Sequence, residues 1–419
     1  MAEYKLAIDL GSTEFKAAIY TSDMRLHGTA AHKLLYSRNG AKVELSVKSA
    51  LKAFAEIIKE SVESTGISID KISSIGITSQ AQTFAVSDEN GRFLTSFISW
   101  LDMRASETCK TMKLEDFAAH SSISGILPNM QICILKHLFD KNPEIVRKNI
   151  KIIPLPTYLI MLLTGQCVSD NNIAALSGLF SLKENNYWQP ALDVLKIDRN
   201  NLPDIIEIGN VAGKTQRDNP LGISKNIPVF SCGNDQTAGA FGAGLQASDV
   251  LITLGTAQTV YRCCEKMPTP NVQFRGYYPG GLYYSMCAGP GGDLITKAIE
   301  KVPELKDFNT FAKFAANADA TIAPVFYVKS ETNEVFWSND RAGLAEKALA
   351  VLDFLADEIF DFFVKLNGSP KNIKTIYVAG GGQNIPTWVN AIEKKLSHKI
   401  KCISYSPIHG TALMMNKDR

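Results

Sequence analysis

Two glycine hairpins of one design lie in opposite halves of this chain. One spans Leu6 to Tyr20 around Asp9-Leu-Gly-Ser-Thr13, and the other spans Leu251 to Tyr261 around Thr253-Leu-Gly-Thr256. Each reads as an apolar strand, a Gly-Ser or Gly-Thr turn and a second β-rich strand, offering bare backbone N–H groups and hydroxyls at its tip. Such tips bind phosphate. A single copy is equally compatible with a polar surface hairpin. Two copies predict a pair of similar α/β domains sharing one nucleotide.

A length of 419 residues suits two domains of roughly 200 residues each. Forty-four Lys plus Arg against 42 Asp plus Glu give a formal charge of +2 without long runs of either sign, so neither nucleic acid nor a membrane surface is an expected partner. The eight cysteines (109, 133, 167, 232, 263, 264, 287, 402) show no CxxC spacing and read as reduced thiols. Cys263 and Cys264 alternate faces of a strand, which suits packing better than redox chemistry. The first strand starts almost at Met1, leaving no room for a signal peptide, so a cytoplasmic location is expected. Leu344 to Leu366 is long and apolar but carries seven charged residues, so it reads as an amphipathic or buried helix.

Periodicity predicts strands near 4–10, 14–21 and 28–35, a helix near 46–64, and strands near 73–79 and 83–88. From about 103 to 200 the pattern turns helical, punctuated by prolines, which predicts a helical insertion or cap. A strand at 227–232 leads into Gly233-Asn-Asp-Gln-Thr-Ala-Gly239, and the second hairpin follows at 249–262, placing a domain boundary between about 242 and 249. Downstream come a strand near 282–287, helices near 291–300, 306–316 and 341–366, a strand at 374–379, a helix at 386–397 and a last helix from about 410.

Three positions suggest chemistry. Asp9 ends a strand beside a phosphate-type turn, where a carboxylate can hold Mg²⁺ through water, and Lys16 could reach a phosphate as a point charge. Asp235 stands at a helix start, either as an ordinary cap or as a base that takes a proton from an attacking hydroxyl. Tyr377-Val-Ala-Gly-Gly-Gly-Gln-Asn384 is a strand, a glycine turn and a helix start. It admits close approach to a flat ligand, with Asn384 suited to a base or ribose, and it is not GxGxxG. The histidines have no metal-ligand spacing.

The order of motifs Asp9-Leu-Gly-Ser-Thr, Gly76-Ile-Thr-Ser-Gln-Ala-Gln82, Ser99-Trp-Leu-Asp-Met-Arg104, Gly233-Asn-Asp-Gln-Thr-Ala-Gly239, Leu254-Gly-Thr256 and Ala379-Gly-Gly-Gly382 resembles the FGGY carbohydrate kinases over nearly the whole chain. The stretch Asn171 to Phe180 before Trp188 joins the resemblance. The family implies two ribonuclease-H-like domains of the actin, hexokinase and Hsp70 type with an interdomain active-site cleft. A sugar-binding domain at 1–244 and a nucleotide-binding domain at 245–419 follow, with ATP and Mg²⁺ as cofactors and a small-molecule sugar as substrate. By the same resemblance Asp9 is the magnesium-linked aspartate, Asp235 the catalytic base, and Gln236 its neighbour at the sugar. Gly11, Ser12 and Thr13 form the first phosphate turn, and Gly255 and Thr256 the second. Gly292, Gly380, Gly381, Gly382 and Asn384 fall to the nucleotide, while Gln82, Trp100 and Asn129 line the sugar pocket.

The departures are informative. Ala81-Gln82 replaces the Arg-Glu of glycerol kinases and the Met-His typical of xylulose kinases, which argues against glycerol and leaves Gln82 to offer a donor and an acceptor. A ketose such as a pentulose is the expected acceptor. The compressed stretch between Gly292 and the helix at 341 bears on the adenosine contacts more than on the phosphate contacts. Asp102 and Arg104 read as wall residues, with Arg104 a solvated helix start pairing with Asp102 or Glu107. A kinase for an acyl phosphate, a non-catalytic sugar sensor and an actin-like ATPase are the competing readings. The sequence does not fix the oligomeric state, and a homodimer is compatible with it.

Overall fold

The computed structural model of the chain describes residues 3–146, 149–329, 334–367 and 373–416. The chain divides into two compact units. One comprises Met1–Gly244, Arg275–Tyr283 and Ser406–Arg419, and the other Leu245–Phe274 and Tyr284–Tyr405. A contiguous split into 1–244 and 245–419 does not describe these units, because two later segments return to the first.

In the first unit, Leu6 to Leu10 is apolar apart from Asp9 and buried throughout, as expected of a strand covered on both faces. Tyr4–Leu10 pairs antiparallel with Glu14–Thr21, which sets Asp9 opposite Lys16, and parallel with Ile72–Ser79. Ile72–Ser79 in turn pairs parallel with Pro228–Asn234. The sheet order is Val211–Lys214, Pro228–Asn234, Ile72–Ser79, Tyr4–Leu10, Glu14–Thr21, Leu26–Lys33. Helix Val47–Glu63 starts where the Ser46 hydroxyl accepts from the Ser49 N–H, and buries Phe54, Ile57, Ile58 and Val62 in one core with Leu6, Ile8 and Ile75.

On the opposite face of this sheet, Ala7, Ala18, Tyr20, Phe230 and Cys232 pack in one core with Ala238, Ala412 and Met414 of two helices. Helices Asp235–Gly242 and Pro407–Met414 pack together there. Their approach is so close that a Cβ on Gly410 would lie 1.7 Å from the Ala238 carbonyl oxygen. That glycine contact is the physical reason the C-terminal helix belongs with the first unit.

A second sheet in this unit runs Ser37–Asn39, Lys42–Leu45, Phe97–Ile98, Phe84–Asp88, Ile150–Pro154. The expected helical cap over 103–200 is therefore only part of the story. Helices such as Gln131–Lys141 and Leu155–Thr164 alternate with strands Ile150–Pro154 and Val168–Asp170 and the hairpin Phe180–Ser181/Asn186–Tyr187. These strands are two to five residues long, too short to imprint a period on the sequence.

The second unit repeats the plan. Its sheet includes residues 284–290 of strand Leu282–Pro290, then Ala257–Cys264, Val250–Leu254, Ile376–Ala379 and Ile400–Cys402, with the middle hairpin antiparallel and the last three strands parallel. A hairpin, a third strand beside it and two parallel strands on its other side make the ribonuclease-H-like order in each unit. Helix Leu344–Asn367 buries Val351, Leu352, Leu355, Ile359 and Phe363 in this unit's core. Among the described residues no helix is long and apolar enough to cross a membrane. All eight cysteines are free thiols, with Cys263 buried and Cys264 half-buried.

Candidate functional site

The C-terminal ends of parallel strands are where open α/β sheets present loops and backbone dipoles to ligands. In the first unit, strands Tyr4–Leu10, Ile72–Ser79 and Pro228–Asn234 end together, delivering Asp9 with the turn Gly11-Ser12-Thr13, then Gln80, then Asp235. Adjacent strands lie about 4.8 Å apart, so the first and third backbones are about 10 Å apart. Two carboxylates of facing side chains interact across that span.

Asp9 is 8% exposed and its Oδ1 has no hydrogen-bond partner among the described residues. Burial first, and the Asp235 carboxylate second, push its carboxyl up to about 7, while Lys16 across the hairpin pulls the other way. Lys16 is half-exposed and its Nζ sits 3.0 Å from Glu14 Oε1. Asp235 opens helix Asp235–Gly242, whose cap is the neighbouring Asn234, accepting from the Thr237 N–H at 3.0 Å. Asp235 is thus relieved of the capping role. Its Oδ1 accepts from the adjacent Gln236 N–H at 2.8 Å, and burial raises its carboxyl to about 6.

The turn that carries Asp235 is braced by residues whose role is invisible in sequence. Asn172 Oδ1 accepts from the Asn234 N–H at 2.9 Å, and its Nδ2 donates to Thr237 Oγ1 and the Tyr277 carbonyl. Asp170 is fully buried, accepts from the Gly233 N–H at 3.0 Å and from the Ser231 hydroxyl, and burial raises its carboxyl. Only the run Asn171 to Phe180 hinted at this support.

Trp100 is 37% exposed, and its Nε1–H donates to Ser12 Oγ at 2.7 Å. Asn129 Nδ2 donates to the Trp100 carbonyl at 2.8 Å, so Asn129 holds the tryptophan loop. Gln82 sits at φ +66 with Oε1 lacking any partner among the described residues, a strained residue with an unsatisfied acceptor. Gly11 and Ser12 are half-buried and Thr13 exposed. Gln236 is half-buried beside Asp235. Arg104 corrects its expectation: its side chain is 7% exposed, not solvated, and it clamps the fully buried Asp102 and Glu44 rather than Glu107, which pairs with Lys110. Burial of the carboxylate Asp102 demands this guanidinium.

The second unit has its own site at the same end of its sheet. A cavity of about 420 Å³ is lined by Leu254, Gly255, Thr256, Gly292, Gly381 and Gly382, together with Asp293, Thr296, Phe308, Ile385 and Trp388. Five of the expected nucleotide residues meet here. Asn384 is exposed and does not line the cavity. Gly380 acts from behind: at φ +91, a Cβ there would lie 2.6 Å from the Leu254 carbonyl oxygen, so only glycine lets the two turns touch. The Gly292 and Asp293 N–H groups donate to the Gly255 and Thr256 carbonyls at 2.8 and 3.1 Å, stitching the turn to the helix start. The apolar wall of Phe308, Ile385 and Trp388 was not foreseen, because its members are dispersed over 80 residues. Thr253 occupies the position that Asp9 holds in the first hairpin, and its hydroxyl is engaged with that of Thr259.

The pattern described as the FGGY family of carbohydrate kinases, N-terminal domain, matches residues 4–242. The chain belongs to that family. Among its relatives, the glycerol kinase of Thermococcus kodakarensis is 29% identical over 276 residues, 64% of this chain and 55% of that protein. The glycerol kinase of Thermococcus gammatolerans is 24% identical over 412 residues, 91% of this chain and 82% of that one. This FGGY chain thus matches little more than half the length of the first relative. Among solved structures, the xylulose kinase from Rhodospirillum rubrum superimposes with a TM-score of 0.90 at 18% identity, covering 100% of this chain and 91% of its own. The Plasmodium falciparum glycerol kinase with ADP gives 0.87 at 17% identity, covering 99% and 89%. At such identities these likenesses establish the FGGY fold.

Proposed function

We propose that the protein transfers the γ-phosphoryl group of ATP to a hydroxyl of a small sugar. The observation that carries this reading is the pair Asp9 and Asp235 at the ends of parallel strands. One is a buried carboxylate with an oxygen unpartnered among the described residues, the other a helix-start carboxylate freed from capping by Asn234 and raised to about 6. A base of that strength is ionised at neutral pH yet accepts a proton more readily than an ordinary carboxylate. Asp235 takes the proton of the attacking sugar hydroxyl, and the Asn172 and Asp170 braces hold it in place.

A carboxylate raised by burial and by the Asp235 charge, with a bare oxygen, suits a divalent cation bound by a single protein ligand, and no cluster of three ligating side chains exists among the described residues. Mg²⁺ at Asp9 would offset the negative charge on the phosphates, and it characteristically uses one or two carboxylates plus phosphate oxygens and waters. Gly11, Ser12 and Thr13 cradle the transferred phosphoryl, with Lys16 contributing charge. Gly255, Thr256, Gly292, Gly381 and Gly382 receive the nucleotide, with Gly380 supporting the turn from behind, and the base fits the apolar wall of Phe308, Ile385 and Trp388.

Trp100, Gln82, Asn129 and Gln236 receive the acceptor. The unsatisfied Gln82 Oε1 calls for a hydroxyl donor. Arg104 is committed to Asp102 and Glu44, which favours an uncharged ketose such as a pentulose over an aldonate. Coupled ADP release, screened over pentuloses, hexuloses, polyols and aldonates, tests the reading. Acceptor-dependent turnover that is highest with a pentulose supports it. ATP hydrolysis indifferent to every acceptor, or sugar binding without turnover, refutes it in favour of an ATPase or a sensor.

A further inference from the structure

A closed circuit of hydrogen bonds joins the first phosphate turn to the tryptophan of the acceptor wall. Gln80 Nε2 donates to the Gly11 carbonyl at 3.2 Å. The Thr83 hydroxyl donates to Gln80 Oε1 at 3.2 Å and accepts from the Trp100 backbone N–H at 3.2 Å. The Trp100 indole N–H then donates to Ser12 Oγ at 2.7 Å, one residue from where the circuit began. Gln80 and Thr83 are 2% and 1% exposed, so water competes little for the bond between them, while the Trp100–Ser12 bond lies at the surface and depends on the buried pair to hold its partners in place. Both ends of the Gln80 amide are used, which fixes its orientation. With the indole hydrogen aimed at Ser12 Oγ, the serine's own hydrogen must point elsewhere.

We infer that Gln80 and Thr83 are positioning residues that lock the Gly11–Ser12 turn to Trp100, so that the Ser12 hydroxyl is oriented to donate to a phosphate oxygen. The inference rests on the kinase reading but concerns residues that touch neither ligand. A turn free to shift by about 1 Å loses in-line alignment, and such misplacement costs about 100-fold in rate. Because an acceptor would rest on Trp100, the same circuit makes the turn's geometry sensitive to whether an acceptor is present.

The test has a kinetic arm and a spectroscopic arm. Thr83→Val removes both hydroxyl bonds, and is expected to lower kcat by about 10- to 100-fold while KM for ATP changes by less than about threefold. Thr83→Ser restores the hydroxyl and is expected to recover most of kcat. In the second arm, the Trp100 indole N–H is followed by ¹⁵N NMR in Gln80→Met, a change that does not touch the indole, with Trp100→Phe giving the assignment. Its exchange with solvent is expected to quicken by about tenfold or more, as a protected hydrogen bond becomes a transiently opened one. A Thr83→Val enzyme with normal kcat, a Thr83→Ser enzyme that folds yet stays slow, or an indole N–H unchanged in Gln80→Met overturns the inference. If the wild-type protein turns over no acceptor, the kinase reading falls, and the indole measurement still decides whether the circuit exists.

Discussion

Asp9→Asn is expected to make the protein more stable, and more so the higher the pH. In the unfolded chain the Asp9 carboxyl ionises near its ordinary 3.8, whereas in the fold it ionises at about 7. The folded state therefore holds the proton more tightly, so folding stability falls as pH rises through that interval and the full penalty is present above about 7. An elevation of about three pH units, at about 1.4 kcal/mol each, corresponds to about 4 kcal/mol. The residue is 8% exposed, so little of this is screened by solvent. Asparagine keeps the shape and removes the charge. At pH 8 the variant should gain up to about 4 kcal/mol, or about 8–16 °C in unfolding midpoint for a unit of this size. At pH 4 the two proteins should differ by less than about 0.5 kcal/mol. Calorimetry or denaturant titration across pH 4–8 without divalent metal measures the gap. Equal midpoints at pH 8, or a gap that persists unchanged at pH 4, refutes the buried-charge reasoning.

Other consequences are as direct. Millimolar Mg²⁺ should raise the unfolding midpoint of the wild type at pH 8 and leave Asp9→Asn unmoved, which thermal shift with and without chelator would show. Asp235→Asn should keep acceptor binding by calorimetry while lowering kcat by about 100-fold or more, since positioning survives and proton acceptance does not. Because Asp235 is raised to about 6, the acid limb of kcat/KM should bend near that pH and fall about tenfold per unit below it. A limb bending near 4 would contradict this. Gly410→Ala, which drives a methyl group to within 1.7 Å of the Ala238 carbonyl oxygen, should cost about 1–3 kcal/mol or more and loosen helix Asp235–Gly242, lowering both the unfolding midpoint and turnover.

The two hairpins, the helix opening at Asp235 and the glycine turn before Gln383 were legible because each is written in a few consecutive residues. A strand of period two, a turn whose glycine is sterically required and a helix start leave local marks. Arg104 was misread for the opposite reason. Its partner Glu44 lies 60 residues away, and nothing near position 104 says that Asp102 will be buried and demand a guanidinium. Gln80 and Thr83 look like polar loop residues until Gly11, 69 positions earlier than Gln80, and Trp100 arrive beside them.

By itself the sequence determined that the chain makes two ribonuclease-H-like sheets of the FGGY kind, that Asp9 and Thr253 hold equivalent places on them, and that Asp235 starts a helix. Tertiary structure alone decided three things. It raised Asp9 and Asp235 into the range of working acids and bases, because a carboxyl's ionisation depends on how much water and which charges the fold leaves beside it. It gave the last helix to the first unit, where Gly410 lets it approach the backbone of helix Asp235–Gly242. And it joined the Gly11–Ser12 turn to Trp100, because a hydrogen bond needs its partners within about 3 Å in space, whatever their separation along the chain.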